Sequence, residues 1–154
     1  TKKMRMRIII GCLFYFLIIF PFQVILADDF VMLKNNKVNV RYGPSFDYPI
    51  KYVYLKKNLP IKVIDKKENF KRIIDHKHNS GWIHTSQLKK SSSVILNKKQ
   101  LIFTKPSKFS EPIAVAETGK LILITKCKNN WCKTTSDNIS GWILFDDYWG
   151  KLPN

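Results

Sequence analysis

Acidic side chains are scarce in this 154-residue chain, with 11 Asp and Glu against 27 Lys and Arg. They are also scattered, so neither a carboxylate pair for acid–base work nor an acidic cage for a hard cation can be assembled from neighbours in sequence. Histidine is sparser still, with three residues, His76, His78 and His84. His76 and His78 form a His-x-His pair, but in the turn-like stretch Asp75 to Ser80 with no third ligand at zinc spacing, and that stretch is expected to be a solvated loop. Six glycines are spread too thinly for a phosphate-cradling loop. Outside the first 27 residues no window holds helical periodicity for three turns. A nucleophile with its base, an open metal site and a helical domain are thereby all set aside, and no cofactor, metal or catalytic residue is expected.

What the chain has is repetition. Ser80-Gly81-Trp82-Ile83 returns as Ser140-Gly141-Trp142-Ile143, and Pro44-Ser45 and Pro49-Ile50 upstream of the first copy answer to Pro106-Ser107 and Pro112-Ile113 upstream of the second. A period near 60 residues is too long for a solenoid repeat and matches the smallest domains that fold alone. Two small tandem domains follow, spanning 38–89 and 94–154, with a lead-in at 28–37 and a linker at 90–93.

The first 27 residues read as a targeting segment. Lys2, Lys3, Arg5 and Arg7 precede an apolar run from Ile8 to Phe20, then Pro21 and a short stretch ending in Ala27 before Asp28-Asp29. That is the order of a secretory signal peptide, with Ala27 as the last residue removed. Bulky Ile25, two positions before the cut, leaves an uncleaved anchor open, since Ile8 to Ala27 is just long enough to span a bilayer. Either way the remainder is exported, periplasmic or secreted, and touches a membrane only through this segment. Without the head, 23 of the 27 basic residues still face 11 acidic ones. Such an excess attracts anionic polymers, or it reflects a composition rich in Lys, Asn and Ile. The lysines come as scattered pairs, such as Lys56-Lys57 and Lys98-Lys99, without the stripe of a nucleic-acid footprint, so no nucleic-acid partner is expected.

Export makes a disulfide admissible. Cys127 and Cys132 bracket Lys128-Asn129-Asn130-Trp131, and a four-residue turn there would set them face to face across a hairpin. Four intervening residues do not suit a redox motif, and no further metal ligands lie nearby, so a structural disulfide is expected.

Between the turn residues lie short runs rich in Val, Ile, Tyr, Phe and Trp. They cover Val38 to Arg41, Lys51 to Leu55, Pro60 to Asp65, Phe70 to Ile74 and Gly81 to His84 in the first copy. In the second they cover Leu101 to Thr104, Ile113 to Ala116, Leu121 to Lys126, Trp131 to Thr135 and Gly141 to Phe145. Five short strands per copy predict an all-β chain of two small antiparallel barrels. Gly81 and Gly141 mark a turn or a close backbone approach that a Cβ would block. Trp82 and Trp142 are expected to fill the cores.

Asn39-Val40-Arg41-Tyr42-Gly43-Pro44-Ser45, with Tyr48-Pro49-Ile50 and the closing Gly81-Trp82-Ile83-His84, resembles the bacterial SH3 domain, whose signature is N-V-R-x-G-P-S and a closing G-W-V. The second copy departs at Phe103-Thr104-Lys105-Pro106-Ser107, which lacks the Asn, Arg and Gly. Its Asn130-Trp131-Cys132, Ser140-Gly141-Trp142-Ile143 and Asp146 to Gly150 are similar to the degenerate second repeat of exported two-copy proteins of this kind. The resemblance implies two tandem SH3-like barrels after a signal segment. It also implies a role in binding, since the cysteine peptidase domain that often accompanies such barrels does not fit in the remaining length. Tyr42, Phe46, Tyr48, Tyr52 and Tyr54 gather around the Arg41-to-Pro49 loop, a density of amphipathic aromatics that suits a peptide groove. Alternation places Tyr52 and Tyr54 on one face of their strand and Val53 and Leu55 on the other, one set buried and one exposed. The expected function is a non-catalytic envelope-binding module. Arg41, Tyr42, Phe46, Tyr48, Tyr52 and Tyr54 would meet a cell-wall peptide or, alternatively, an extended or proline-rich segment of an envelope protein.

Overall fold

The computed structural model describes residues 29–153, so the hydrophobic head expected as a signal peptide lies outside the described residues. The chain folds into two antiparallel sheets of seven strands each. The first contains β1 (Asp29–Leu33), β2 (Val38–Arg41), β3 (Ile50–Tyr54), β4 (Pro60–Lys67), β5 (Phe70–Ile74), β6 (Ser80–His84) and β7 (Leu88–Lys90), with a 3-10 turn at Thr85–Gln87. The second contains β8 (Ser93–Leu96), β9 (Gln100–Phe103), β10 (Pro112–Ala116), β11 (Leu121–Lys128), β12 (Trp131–Ser136), β13 (Ile139–Leu144) and β14 (Tyr148–Gly150). Strand order is β3-β2-β6-β5-β4-β1-β7 in the first and β10-β9-β13-β12-β11-β8-β14 in the second. Position for position these are one topology, so the repetition in sequence is a repetition of fold.

Alternation builds each barrel. Val38 and Val40 are buried on either side of exposed Asn39, and Gly81 and Ile83 are buried on either side of Trp82. Leu33, Val38, Val40, Ile61, Ile73 and Ile83 centre the first core, and Ile102, Ile122, Ile124, Cys132 and Ile143 the second. Burying each Val, Leu or Ile side chain among them contributes about 1.5–3 kcal/mol.

Seven strands replace the five expected in each copy. The stretch read as a lead-in carries β1, which pairs with both β4 and β7. The stretch read as a linker carries the end of β7 and the start of β8, leaving only Ser91 and Ser92 between strands. β8 is buried along its whole length because it lies between the barrels. Val94 and Leu96 enter the second core while Ile95, pointing the other way, enters the first. Trp149 of β14 completes the junction, its Nε1–H donating to the Pro60 carbonyl at 3.0 Å and its ring meeting Phe30 edge to face at 5.2 Å.

Trp82 and Trp142 do not fill the cores. Each is half-exposed, because its neighbours Gly81 and Ile83, or Gly141 and Ile143, already occupy the inward positions of the strand. The glycines are the core-facing members of the motif. A Cβ on Gly81 would lie 2.3 Å from Val40 Cγ1, and one on Gly141 would lie 2.5 Å from Ile102 Cγ2 and 2.8 Å from the Phe103 carbonyl oxygen.

The disulfide is present, but its turn is shorter than expected. β11 and β12 run to Lys128 and from Trp131, so only Asn129 and Asn130 turn the chain, with φ of 50° and 65°. Asparagine accepts this left-handed region at low cost, as two-residue hairpins require. Cys127 then stands directly opposite Cys132 with Cα atoms 4.0 Å apart, within reach of the bond they form.

Candidate functional site

The first barrel's loop 42–49 is built by the residues that carry the motif. The Arg41 guanidinium donates from Nη1 to the carbonyls of Phe46 at 3.2 Å and Tyr48 at 2.8 Å, tying both ends of the loop's second half to β2. Gly43 is there because the Tyr48 ring lies on its backbone, 2.5 Å from where a Cβ would stand. Ser45 Oγ donates to the Asp47 carboxylate and accepts from the Asp47 N–H, both at 3.0 Å. So held, the loop presents Phe46, still 65% exposed, edge to face with Phe70 at 5.2 Å and against the His84 ring at 5.1 Å. Arg41 lies over the same Phe46 ring at 5.3 Å. His84 Nδ1 accepts the Ser86 N–H and closes the 3-10 turn beside them. Lys37, Asn39 and Gln87 complete a groove of about 360 Å³.

The six expected ligand residues therefore do not form one surface. Arg41 and Phe46 line this groove. Tyr42, 61% exposed with Lys51 Nζ 5.6 Å from its ring, belongs to a neighbouring shallow pocket of about 280 Å³ that shares Arg41 and adds Arg72 and Trp82. Tyr48 is half-exposed on the loop. Tyr52 and Tyr54 are the partly buried face of β3, packed on the core, while Val53 and, one residue past the strand, Leu55 are exposed. Their hydroxyls lie 3.2 Å apart, and Tyr54 donates to Asp75 Oδ2 at 2.9 Å. The buried Asp75 also accepts from the Asn79 amide and from the backbone N–H groups of Lys77 and Asn79. Burial alone would raise the Asp75 pKa, but these hydrogen bonds, led by Asn79, hold it below the ordinary carboxylate value. Burial pushes both tyrosines up, Tyr54 the further of the two because Tyr52 and Asp75 add to the effect. These two tyrosines brace the barrel from the partly buried face of β3.

Phe70, His84, Lys37 and Gln87 are groove residues missed at the level of sequence. Phe70 and His84 opened and closed expected strands, but their Cα pairing across β5 and β6 is what brings them together.

The second barrel has the matching groove, of about 560 Å³. Strand register gives the correspondence: Phe103 opposite Trp142 stands where Arg41 opposes Trp82, and Trp131 opposite Leu144 stands where Phe70 opposes His84. Phe103 and Trp131 meet edge to face at 5.5 Å. Lys108, one residue after Ser107, takes the place that Phe46 holds after Ser45, and a Lys98–Asp146 ion pair borders the rim. Arginine and histidine in the first groove thus become phenylalanine and leucine in the second.

Among the described residues no group of three or more His, Cys, Asp or Glu side chains is placed to hold a metal. Burial lowers the pKa of His76, the first of the His-x-His pair, and its buried Nδ1 has no hydrogen-bond partner among the described residues.

Two duplicated, antiparallel, all-β barrels, each with a grooved loop over a closing Gly-Trp-Ile strand, define an SH3-like architecture. The chain belongs to the bacterial SH3 domain family, which it matches twice, over residues 34–90 and 97–150. Among solved structures it is similar to NlpC2 and NlpC1 from Trichomonas vaginalis, at 14% identity and a TM-score of 0.37 in each case. The alignments cover 81% of this chain but 49% and 46% of those, so the chain spans about half their length. No curated protein matches it.

Proposed function

We propose that this protein is a non-catalytic, exported binding module of the cell envelope, and that its first barrel recognises the peptide part of peptidoglycan. One observation carries the reading: the groove beside loop 42–49 combines an exposed Phe46, edge to face with Phe70 and against the His84 ring, with the cationic side chains of Arg41 and Lys37. Flat apolar rings accept the backbone and aliphatic side chains of an extended peptide, and the cations suit the carboxylates that wall peptides carry. Membership of the bacterial SH3 family and the signal-like head support the same compartment. Co-sedimentation of the purified protein with isolated peptidoglycan is the test. Wild-type protein is expected to be retained and Phe46→Ala to be largely lost to the supernatant; absence of wild-type retention contradicts the proposal.

A second reading, an adaptor that binds an extended or proline-rich protein segment, draws on the larger and more apolar second groove, where Phe103 and Trp131 form a paired aromatic wall. Cross-linking in the native envelope separates the two. A single dominant protein partner favours the adaptor.

A further inference from the structure

We propose that copies of this chain associate head to tail, strand β10 of one molecule adding antiparallel to strand β3 of the next. Both strands stand at the end of their sheets with a neighbour on one side only, among the described residues. Such an edge offers a row of backbone donors and acceptors to another strand, and proteins usually guard it with charge. Here the guarding is uneven. β10 is Pro-Ile-Ala-Val-Ala, with no charge inside it and with Ile113 and Val115 exposed at 43% and 52%. The β9 residue paired with Val115, Leu101, is 45% exposed and extends the apolar surface.

Charge selects the occupant. In a chain with only 11 acidic side chains, two of them, Glu111 and Glu117, flank β10 directly. Two copies of β10 paired with each other in antiparallel fashion would bring Glu111 against Glu117 at both ends, which is repulsive. β3 has the opposite character, with exposed Val53 and Leu55, Lys51 inside it and Lys56-Lys57 just beyond its end. Antiparallel pairing of β3 with β10 places Lys56-Lys57 beside Glu111 with apolar side chains following, whereas Lys51, which donates to the Ser80 carbonyl at 2.8 Å, turns back across its own sheet. Pro112, which lacks an N–H, and the register shift between Pro112 and Ala114 shorten the usable edge to about three residues, so the contact is small and weak. Because two different surfaces meet, each added copy exposes a fresh β3 and a fresh β10, and growth continues past the dimer.

The test is sedimentation velocity on the full chain in mild detergent, at low salt and increasing concentration to about 1 mM, the range of a weak contact. Wild-type mass is expected to climb beyond about twice the monomer mass, as open-ended assembly requires. Two charge variants, Glu111→Lys/Glu117→Lys and Lys56→Glu/Lys57→Glu, should each stay monomeric, since each then has two edges of like sign. Mixed in equal amounts they should associate again, because the unaltered β3 of the first variant meets the unaltered β10 of the second, and the altered β10 of the first meets the altered β3 of the second, each with opposite charge. Both variants keep the hydrophobic head, so association through it would survive in them. A wild type that remains monomeric or stops at a dimer, variants that associate as the wild type does, or a mixture that stays monomeric would each overturn the proposal.

Discussion

The two barrels share a topology and almost nothing of what locks it. The first is braced by a buried polar network in which Tyr52, Tyr54 and Asn79 converge on Asp75. At the strand positions matching Tyr52 and Tyr54 the second barrel has Ala114 and Ala116, opposite Ile102 and Gln100 as the tyrosines are opposite Val40 and Val38. It instead carries the Cys127–Cys132 disulfide at the hairpin position where the first barrel has Lys66 opposite Lys71. Two like charges face each other there, and Lys66 is drawn aside by Asp29 at 2.9 Å. What the copies keep is an inward Val or Ile on β2 and β9, on β4 and β11 and on β6 and β13, and the glycine of the closing strand. The fold depends on those positions, while bracing and groove chemistry are left to diverge.

The largest expected effect tests the shared element. Gly141→Ala drives a Cβ to within 2.8 Å of a backbone carbonyl, whereas the same change at Gly81 meets chiefly the Val40 side chain. Overpacking of this kind typically costs 1–3 kcal/mol, and Gly141→Ala is expected at or above about 3 kcal/mol and Gly81→Ala below it, by thermal unfolding of each variant. Equal, negligible losses would mean that the glycines are not what lets β6 and β13 approach β2 and β9.

Next in size is Asp75→Ala, which leaves Tyr54 and Asn79 without their shared acceptor and should cost about 2–3 kcal/mol. The pH dependence has a defined sign. Asp75 has a lowered folded pKa, so its contribution is present above the unfolded value of about 3.9 and is lost as pH falls through the folded value. The raised tyrosines contribute fully below about pH 10 and lose that contribution as pH rises toward their folded values. Urea titrations of wild type and Asp75→Ala should therefore differ most between about pH 4 and 10 and converge toward acid. A constant difference at every pH would contradict the network.

Reduction of Cys127–Cys132 follows, with a loss of about 2 kcal/mol and a midpoint several degrees lower. Thiol titration of the unfolded, unreduced protein should find no reaction at either residue. The smallest effect is the transplant: Lys66→Cys/Lys71→Cys places a cysteine pair at the equivalent hairpin position and removes a like-charge pair, and should add about 1–2 kcal/mol when oxidised. A destabilised oxidised variant would show that the two hairpins are less alike than their register implies.

Much of this was legible in the residues. Ten strands follow from alternation, and Val38, Val40, Ile73 and Ile83 fall where period two puts them. β1, β7, β8 and β14 escaped because each is short or lacks alternation. β8 is Ser-Val-Ile-Leu, buried on both faces between the barrels, and β7 is a largely charged edge. Trp82 and Trp142 were misplaced by weighing size above parity: the strand had already committed its inward positions to Gly and Ile. The aromatic loop was visible, but its division was not. Tyr52 and Tyr54 turn inward to Asp75, a residue 21 positions from Tyr54, and no local pattern announces that bond. Phe70 and His84 meet Phe46 only through strand pairing.

The proposed reading places wall-peptide binding in the first groove, where Phe46 stands, and predicts that Lys108 at the matching place in the second contributes nothing to it. The direct measurement is co-sedimentation with purified peptidoglycan of Phe46→Ala beside Lys108→Ala, its counterpart in the second barrel. The account predicts that Phe46→Ala weakens retention about tenfold, as loss of an aromatic anchor worth roughly 1–2 kcal/mol would, while Lys108→Ala leaves it unchanged. Equal losses in both variants, or a loss in Lys108→Ala alone, would contradict it.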